Sequence, residues 1–467
     1  MSVRRTFPLV RLSVLLLVLV LLPLAAAAVA AAPASAGLVV WQTGYSFDGR
    51  ADGFTDIARG PGGAIYCAGF TRGTEETSTL LLAKYVDNGL TVDLAWTKTF
   101  KKTGVAGSRA TEVAVDRAGN VIVAGTVGVA PPASARGRDV VVIKFSPAGM
   151  RRWRTYYNGP AGRDDYVTGL GLDRAGNAYV SATSKGAGSG FDFATLKVRK
   201  GGGRAWVQRY AGPSGRDETA GIAVLPSGDC FVSGSSANGS HPRVVTIRYS
   251  AAGALRWSAA YSTSVGGVSV GAISSMGSSA VVVGGSMWNG NAEGGDLVFL
   301  KYRASNGSRI WRHMVGNGEM FDESIDAMDT DADGALYAAG ATHDENFGAT
   351  HGFTAGMTAA GGGLWTDELW VDLASNDAGF QTTDADAAGD SAAGGWAQTV
   401  VAGDDFTVRY RSRLGAASSW DFTTGGLAIG DDVCRAVLVD GSVVYAAGEV
   451  DNGAATGTDA ALFKLSH

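Results

Sequence analysis

Asp165-Tyr166-Val167-Thr168-Gly169-Leu170-Gly171-Leu172, then Asp173-Arg174-Ala175-Gly176-Asn177, then Ala178-Tyr179-Val180-Ser181-Ala182-Thr183 is the stretch that decides the fold. The first eight residues alternate with the period of a half-buried strand. The next five contain Asp, Gly and Asn, which tolerate the left-handed backbone of a hairpin turn. The last six read as the returning strand. Phe191 to Val198 supplies a third strand, and Trp206 lies on a fourth.

Working outward, the same grammar returns. Asp116-Arg117-Ala118-Gly119-Asn120 precedes Val121-Ile122-Val123-Ala124-Gly125-Thr126, and Ala335-Leu336-Tyr337-Ala338-Ala339-Gly340 follows a similar turn. Eight tryptophans, Trp41, Trp96, Trp153, Trp206, Trp257, Trp311, Trp365 and Trp420, recur at intervals of 51 to 57 residues. A fixed period of this length is the mark of a repeat architecture. No part of the chain after residue 36 sustains a helical period, and glycine numbers 68, which suits short strands and tight turns.

A four-stranded meander of about fifty residues has two apolar faces and cannot bury both alone. Radial stacking buries both, with the bulky tryptophan on the wide outer edge. The expectation is an all-β chain: an eight-bladed β-propeller of four-stranded antiparallel blades. The count carries a further consequence, because the repeats begin with a lone tryptophan strand, Leu38 to Tyr45, and end on a third strand, Ala460 to Leu465. Pairing the two completes the last blade and closes the ring; the rival is an open solenoid with both end sheets exposed. Modules six and seven, with Thr354-Ala355-Gly356-Met357 and Ser391-Ala392-Ala393-Gly394-Gly395 in place of β-branched strands, should be the loosest. The longest insertion is Val127 to Arg138 in module two.

The first 36 residues differ in kind. Arg4, Arg5 and Arg11 precede or open a Leu/Val run from Leu12 to Leu22, and Ala34-Ser35-Ala36 offers a peptidase site. This is the pattern of an export signal spanning 1–36, leaving 37–467 as one propeller domain with no membrane span. An uncleaved anchor is the alternative, and Arg4-Arg5 leaves general versus twin-arginine export open. The whole chain has 39 basic and 44 acidic residues; without the leader's three arginines the balance is 36 to 44, a net −8. That charge offers no nucleic-acid footprint. Three scattered cysteines, Cys67, Cys230 and Cys434, form no disulfide framework; Cys67–Cys434 is the one pairing to check.

Asp164-Asp165-Tyr166…Gly171-Leu172-Asp173-Arg174-Ala175-Gly176-Asn177-Ala178-Tyr179-Val180 resembles the bacterial β-propeller repeat family called SBBP, and Arg109 to Gly125 and Asp217 to Gly234 echo it. The resemblance implies an exported or surface propeller of unassigned activity. Gly307-Ser308-Arg309-Ile310-Trp311 and Gly253-Ala254-Leu255-Arg256-Trp257 resemble the Gly-x-x-x-Trp docking motif of pyrroloquinoline-quinone propellers, which ties neighbouring blades. Those enzymes need a vicinal cysteine pair or an equivalent platform, and this chain has no Cys-Cys. Blade architecture without the quinone site is the expectation.

Candidate site residues are few. Eight residues before the turn position lie Asp52, Asp165, Asp217, Glu323 and Asp431, where the chain begins each innermost strand. Together they would form an acidic channel mouth that attracts a cationic ligand; the alternative is that each caps its own loop. Asp329, Asp331 and Asp333 have the alternate spacing of a calcium loop but lack the later glutamate, Gly340 standing there, and coincide with the ordinary hairpin turn of their module; a plain acidic turn with no cofactor is the expectation, and weak Ca2+ binding the alternative. Gly267-Val268-Ser269-Val270-Gly271 matches a nucleophile elbow only in letters, since it lies inside a strand. Lys84, Lys144, Lys197, Arg248, Lys301, Arg409 and Lys464 close the third strands and read as a solvated rim. The expected function is a monomeric, noncatalytic binding or scaffold propeller, secreted or at the cell surface, with an extracellular protein, glycan or cationic ligand as partner. The alternative is an extracellular enzyme acting on polysaccharide or, through a quinone, on alcohols.

Overall fold

The computed structural model describes residues 35–46, 51–71, 78–103, 107–128, 137–239, 241–264, 266–288, 294–315, 321–344, 349–369, 377–399, 403–413, 419–424, 432–451 and 458–466. They form eight four-stranded antiparallel blades in a ring. Blade one runs Gly53–Arg59, Ala64–Thr71, Thr79–Asp87 and Val92–Phe100; blade two Ser108–Val115, Val121–Val127, Asp139–Phe145 and Arg151–Tyr157; blade three Asp165–Leu172, Ala178–Gly186, Gly190–Val198 and Arg204–Tyr210. Blades four to seven repeat the order and begin at Asp217, Ala272, Phe321 and Ala378. Blade eight joins Val433–Asp440, Val443–Asp451 and Thr458–Ser466 to the N-terminal strand Leu38–Tyr45. The predicted closure is thus formed, with Val39 opposite Leu465, Trp41 opposite Lys464 and Tyr45 opposite Ala460. Ser35–Ala36 adds a short parallel pair to the outer strand of blade seven. Among the described residues the sole helical turn is Pro61–Gly63.

Innermost strands carry a bulge at one repeated register, including Ala110/Glu112, Val167/Gly169 and Ile325/Ala327. The bulge explains the glycine that ends the Val-Ala-Gly signature. At Gly125 a Cβ would lie 2.1 Å from the Arg109 carbonyl, so any side chain there would push the two strands apart. The core sits between blades. Tyr66, Leu80, Val121, Val123 and Ile143 are buried between blades one and two, and Phe54, Cys67, Tyr85, Ala447 and Leu462 between eight and one. The described cluster between six and seven is only Ala339, Phe380 and Ala393, where small residues fill the strands. Cys67, Cys230 and Cys434 are buried free thiols.

The tryptophan and the third-strand basic residue have one joint task. The Trp96 indole N–H and the Lys84 ammonium both donate to Pro147 O of the next blade, at 3.1 and 3.2 Å. Trp206 and Lys197 share Ala251 O (3.2 and 2.9 Å), and Trp257 and Arg248 share Ala304 O (2.7 and 2.5 Å). The accepting turn presents a left-handed glycine to the same indole: Gly253 has φ +86, and a Cβ there would lie 2.8 Å from the Trp206 ring. The Gly-x-x-x-Trp spacing therefore places one blade's docking glycine four residues before that blade's own tryptophan. The rim expected from the basic residues is corrected by this geometry, since Lys144, Arg409 and Lys464 are buried as well.

At the seam of the ring a side chain joins the carbonyl as acceptor, since Lys464 Nζ also donates to Gly89 O at 2.8 Å. Asp87 of blade one takes hydrogen bonds from Trp41 Nε1 (3.2 Å), Tyr445 Oη (2.6 Å) and Lys464 Nζ (2.8 Å), all from blade eight. Burial alone would raise the Asp87 pKa, but the bonds from Lys464, Tyr445, Gly89 and Trp41 hold it below the usual carboxylate range.

Candidate functional site

The bulge register fixes the carboxylate slot as the residue two positions before each bulge pair. It holds Asp52, Ser108, Asp165, Asp217, Glu323, Ala378 and Asp432 in blades one, two, three, four, six, seven and eight. Asp432, one residue after the expected Asp431, is therefore the slot in blade eight, because its hairpin turn is shorter; Asp431 lies outside the described residues. Asp52, Asp165 and Asp217 are fully buried and Glu323 nearly so. Asp165 Oδ2 accepts from Gly159 N–H at 2.8 Å, and Asp217 Oδ2 from Gly212 N–H at 2.6 Å; both glycines lie in the connection arriving from the preceding blade. Asp432 Oδ1 accepts from Asp451 N–H. Burial raises the Asp165 pKa to about 6 against the pull of Ser184 and Gly159. These side chains lie inside the wall, so an open acidic mouth made of them is not what the structure presents; local capping accounts for Asp165 and Asp217.

Asp329, Asp331 and Asp333 do not converge. Asp329 Oδ2 accepts from Ala385 N–H of blade seven (3.1 Å), Asp331 Oδ1 from Ala335 N–H (2.8 Å), and the exposed Asp333 pairs with Arg413 (2.9 Å). Among the described residues no three metal-ligating side chains gather, and this donor set does not fit calcium.

A second set of carboxyls sits further along the innermost strands and is half-buried. Asp56 accepts from Ile57 N–H (2.7 Å) and, across to blade two, from Val113 N–H (2.6 Å). Asp384 likewise accepts from Val439 N–H of blade eight at 2.7 Å. Burial raises Asp56 to about 7 and drives Glu112 well above its usual range, with the Asp56 charge adding to the latter. Burial, and then the Asp329 charge, likewise raises Asp384. These groups stitch neighbouring blades through backbone N–H bonds.

A cleft of about 250 Å³ opens where the innermost strands of blades one, two and three begin. Thr55, Ser108, Arg109, Thr111, Arg138 and Tyr166 line it, and among the described residues no carboxylate does. Arg109 lies over the Phe70 ring, 3.6 Å from its centroid, and Arg138 over Tyr166 at 5.1 Å. Arg138 Nη1 donates to Tyr166 Oη at 3.0 Å, its backbone N–H donates to Asp164 Oδ1 at 3.1 Å, and Tyr166 packs against Phe191. Ser108 is 2% exposed, and its Oγ has no hydrogen-bond partner among the described residues. The sequence pointed to the slot but not to this site. Its signal was a departure from the repeat, since blade two places Ser108 where five other blades place a carboxylate. Gly128 and Arg138, at the two ends of the longest insertion, also line the cleft.

Among solved structures, Sqt1 from Chaetomium thermophilum bound to the N-terminus of the ribosomal protein L10 superposes with a TM-score of 0.54 at 10% identity, covering 90% of this chain and 98% of that one. Sqt1 alone gives 0.53 at 10% identity, covering 91% and 100%. The polysaccharide lyase Uly1 gives 0.46 at 9% identity, covering 76% and 89%. At such identities the likeness to Sqt1 is one of fold alone. No curated protein matches the chain in sequence, and among the described residues no helix is long and apolar enough to cross a membrane. Residues 152–188, the stretch from Trp153 through the hairpin of blade three, match the SBBP β-propeller repeat, and the chain is an eight-bladed β-propeller carrying that repeat.

Proposed function

We propose that this chain is a noncatalytic binding propeller that works outside the cytoplasm, secreted or held at the cell surface. The observation that carries the reading is the cleft shared by blades one to three. Strand residues of three blades form most of its described lining, which combines the Tyr166 ring with a few convergent polar groups, the usual make-up of a ligand site. Stapling of each blade to the next fits a scaffold that holds such a site rigid. The leader at 1–36 supports export, and Sqt1, a propeller of similar fold, is seen holding the N-terminus of a protein, a use of the scaffold consistent with binding. The test is to screen the purified protein against arrayed extracellular glycans and peptides while assaying for new reducing ends, unsaturated products or free amino termini. Binding that weakens in Arg138→Ala without product release is expected. Turnover of any bound compound would overturn the noncatalytic assignment, and retention of all binding in that variant would remove the cleft from it.

A further inference from the structure

Independently of the cleft, we infer that the face of the ring where third strands turn into outer strands docks on an anionic phospholipid bilayer. The residue two before each blade's tryptophan stands just across the bulge of the outer strand. In blades eight, one, two, three, four and five it is Val39, Leu94, Arg151, Arg204, Leu255 and Arg309. All six are exposed. Equivalent positions of a radial repeat share one height on the ring, so these residues lie near one plane along its rim. The turns that lead into the outer strands add Leu90 and Met150, while Leu38 and Ile310 adjoin the position itself. Seven of the eight exposed large apolar residues among those described are therefore on this rim. Apolar side chains scattered singly need no partner, but a set gathered on one face marks an interaction site.

The charge on the rim selects the partner. Residues 146–157, 199–210, 250–261 and 303–315, the outer strands of blades two to five with the turns before them, contain eleven Lys and Arg and no Asp or Glu, in a chain with 44 acidic residues. Exposed bases stand beside the apolar groups: Arg151 and Arg152 follow Met150, Arg256 follows Leu255, and Arg309 precedes Ile310. Among the described residues none of these bases pairs with a carboxylate. The turns between first and second strands open on the same face, and their carboxylates already have cations: Asp116 meets Lys144 at 2.7 Å, Asp173 meets Lys197 at 3.6 Å and Asp229 meets Arg248 at 2.6 Å. The exposed guanidinium groups therefore attract an anionic leaflet, while their aliphatic neighbours enter its boundary between headgroups and acyl chains. A soluble polyanion would satisfy the arginines but leave Val39, Leu94 and Leu255 in water. The chain also enters the propeller here, since Leu38 opens the outer strand of blade eight and the Leu/Val run from Leu12 to Leu22 precedes it; a leader lodged in a membrane is joined to the propeller on this side.

Residues 34–467 form one compact unit that holds all eight blades, and its co-sedimentation with large unilamellar vesicles is the test, free of the leader's own affinity for lipid. Vesicles with about one-third phosphatidylglycerol in phosphatidylcholine should bind it roughly tenfold or more tightly than phosphatidylcholine alone, and the difference should shrink as salt screens the charges. Arg151→Glu combined with Arg204→Glu should weaken binding to the anionic vesicles roughly tenfold or more, and Leu94→Ser combined with Leu255→Ser several-fold. All four side chains are exposed, so melting temperatures should stay at the wild-type value. Arg216→Glu, at an exposed side chain on the opposite face, should bind as wild type does. Binding to anionic vesicles that both double variants leave intact would overturn the inference, as would failure to bind either vesicle. Loss in the arginine variant alone, with equal affinity for dextran sulfate, would assign the rim to a soluble polyanion and overturn the bilayer. Ligand binding in the cleft should be the same in all of these variants, so the loss of one reading leaves the other standing.

Discussion

Asp87→Ala should open the ring at its seam. The carboxylate accepts from Trp41, Tyr445 and Lys464, which come from the outer, second and third strands of blade eight. The Asp87 and Lys464 side chains are each about 10% exposed. Truncating one partner of a pair buried to this degree leaves an uncompensated ammonium, which costs roughly 3–5 kcal/mol. Against a typical domain stability of ~5–15 kcal/mol, that is a large fraction. Asp440→Ala is the internal control: its pair with Arg59 joins the same two blades, but the side chains are 42% and 44% exposed, so about 0–1 kcal/mol is at stake. Guanidinium unfolding followed by tryptophan fluorescence and circular dichroism gives both values from the midpoints. The pH dependence adds a second check. Hydrogen bonds lower the Asp87 pKa in the native state, so its contribution is full above the unfolded-state value of ~3.9 and is lost as pH falls through the lower folded value. Wild type and variant should therefore differ most at neutral pH and converge in acid. Equal midpoint shifts for Asp87→Ala and Asp440→Ala at pH 7 would refute the idea that one buried carboxylate latches the ring.

Deleting Leu38–Tyr45 removes a whole strand and Trp41 from blade eight, and should yield insoluble or noncooperatively unfolding protein rather than a trimmed ring, as sedimentation and thermal melts will show. For Asp56 the sign is opposite to that of Asp87: its native pKa is about 7, so the native state holds a proton that the unfolded chain releases above ~3.9. The stability it contributes is complete below that value and drains away as pH rises to 7, with a ceiling on the order of 4 kcal/mol; Asp56→Asn should flatten the decline and be the more stable form at pH 8 in urea melts. Gly253→Ala combines a left-handed φ with a Cβ 2.8 Å from Trp206 and should lose about 2–3 kcal/mol. Gly239→Ala, with φ +62 and nothing within 4 Å, should lose only about 1 kcal/mol, and a similar midpoint for the two would dismiss the docking role.

The architecture was legible because each blade restates it. Tryptophan spacing, the Asp-x-x-Gly-Asn turn and the Val-Ala-Gly strand recur, and the register of the two ends required Leu38–Tyr45 to pair with the last strand. The same redundancy hid what joins the blades. Lys84, Lys197 and Arg248 sit at strand ends, where a solvated rim is the natural reading. Their real partners are carbonyls 54 to 63 residues away, and nothing in the local pattern names a backbone acceptor. Asp87 was invisible for a related reason: among the described residues a carboxylate shared by a tryptophan and a third-strand base occurs at this one seam, so no period announces it.

The site was partly legible, in an inverted form. Counting back from the turns found the correct slot in four blades, but periodicity cannot tell a carboxylate that lines a mouth from one that caps the loop behind it. Burial decides this, and it places Asp52, Asp165 and Asp217 in the wall. In a repeat protein, what recurs serves the fold that every blade shares, so function should be sought where a blade departs from its siblings. Blade two departs twice, at Ser108 in the carboxylate slot and in the insertion from Val127 to Arg138. Those departures are 19 or more residues apart in sequence and meet only because the second strand returns beside the first, placing Ser108 opposite Val127. Thr55 and Tyr166 then arrive from the blades on either side. The cleft is therefore a property of three stacked blades, and a sequence read one module at a time gives no sign of the meeting.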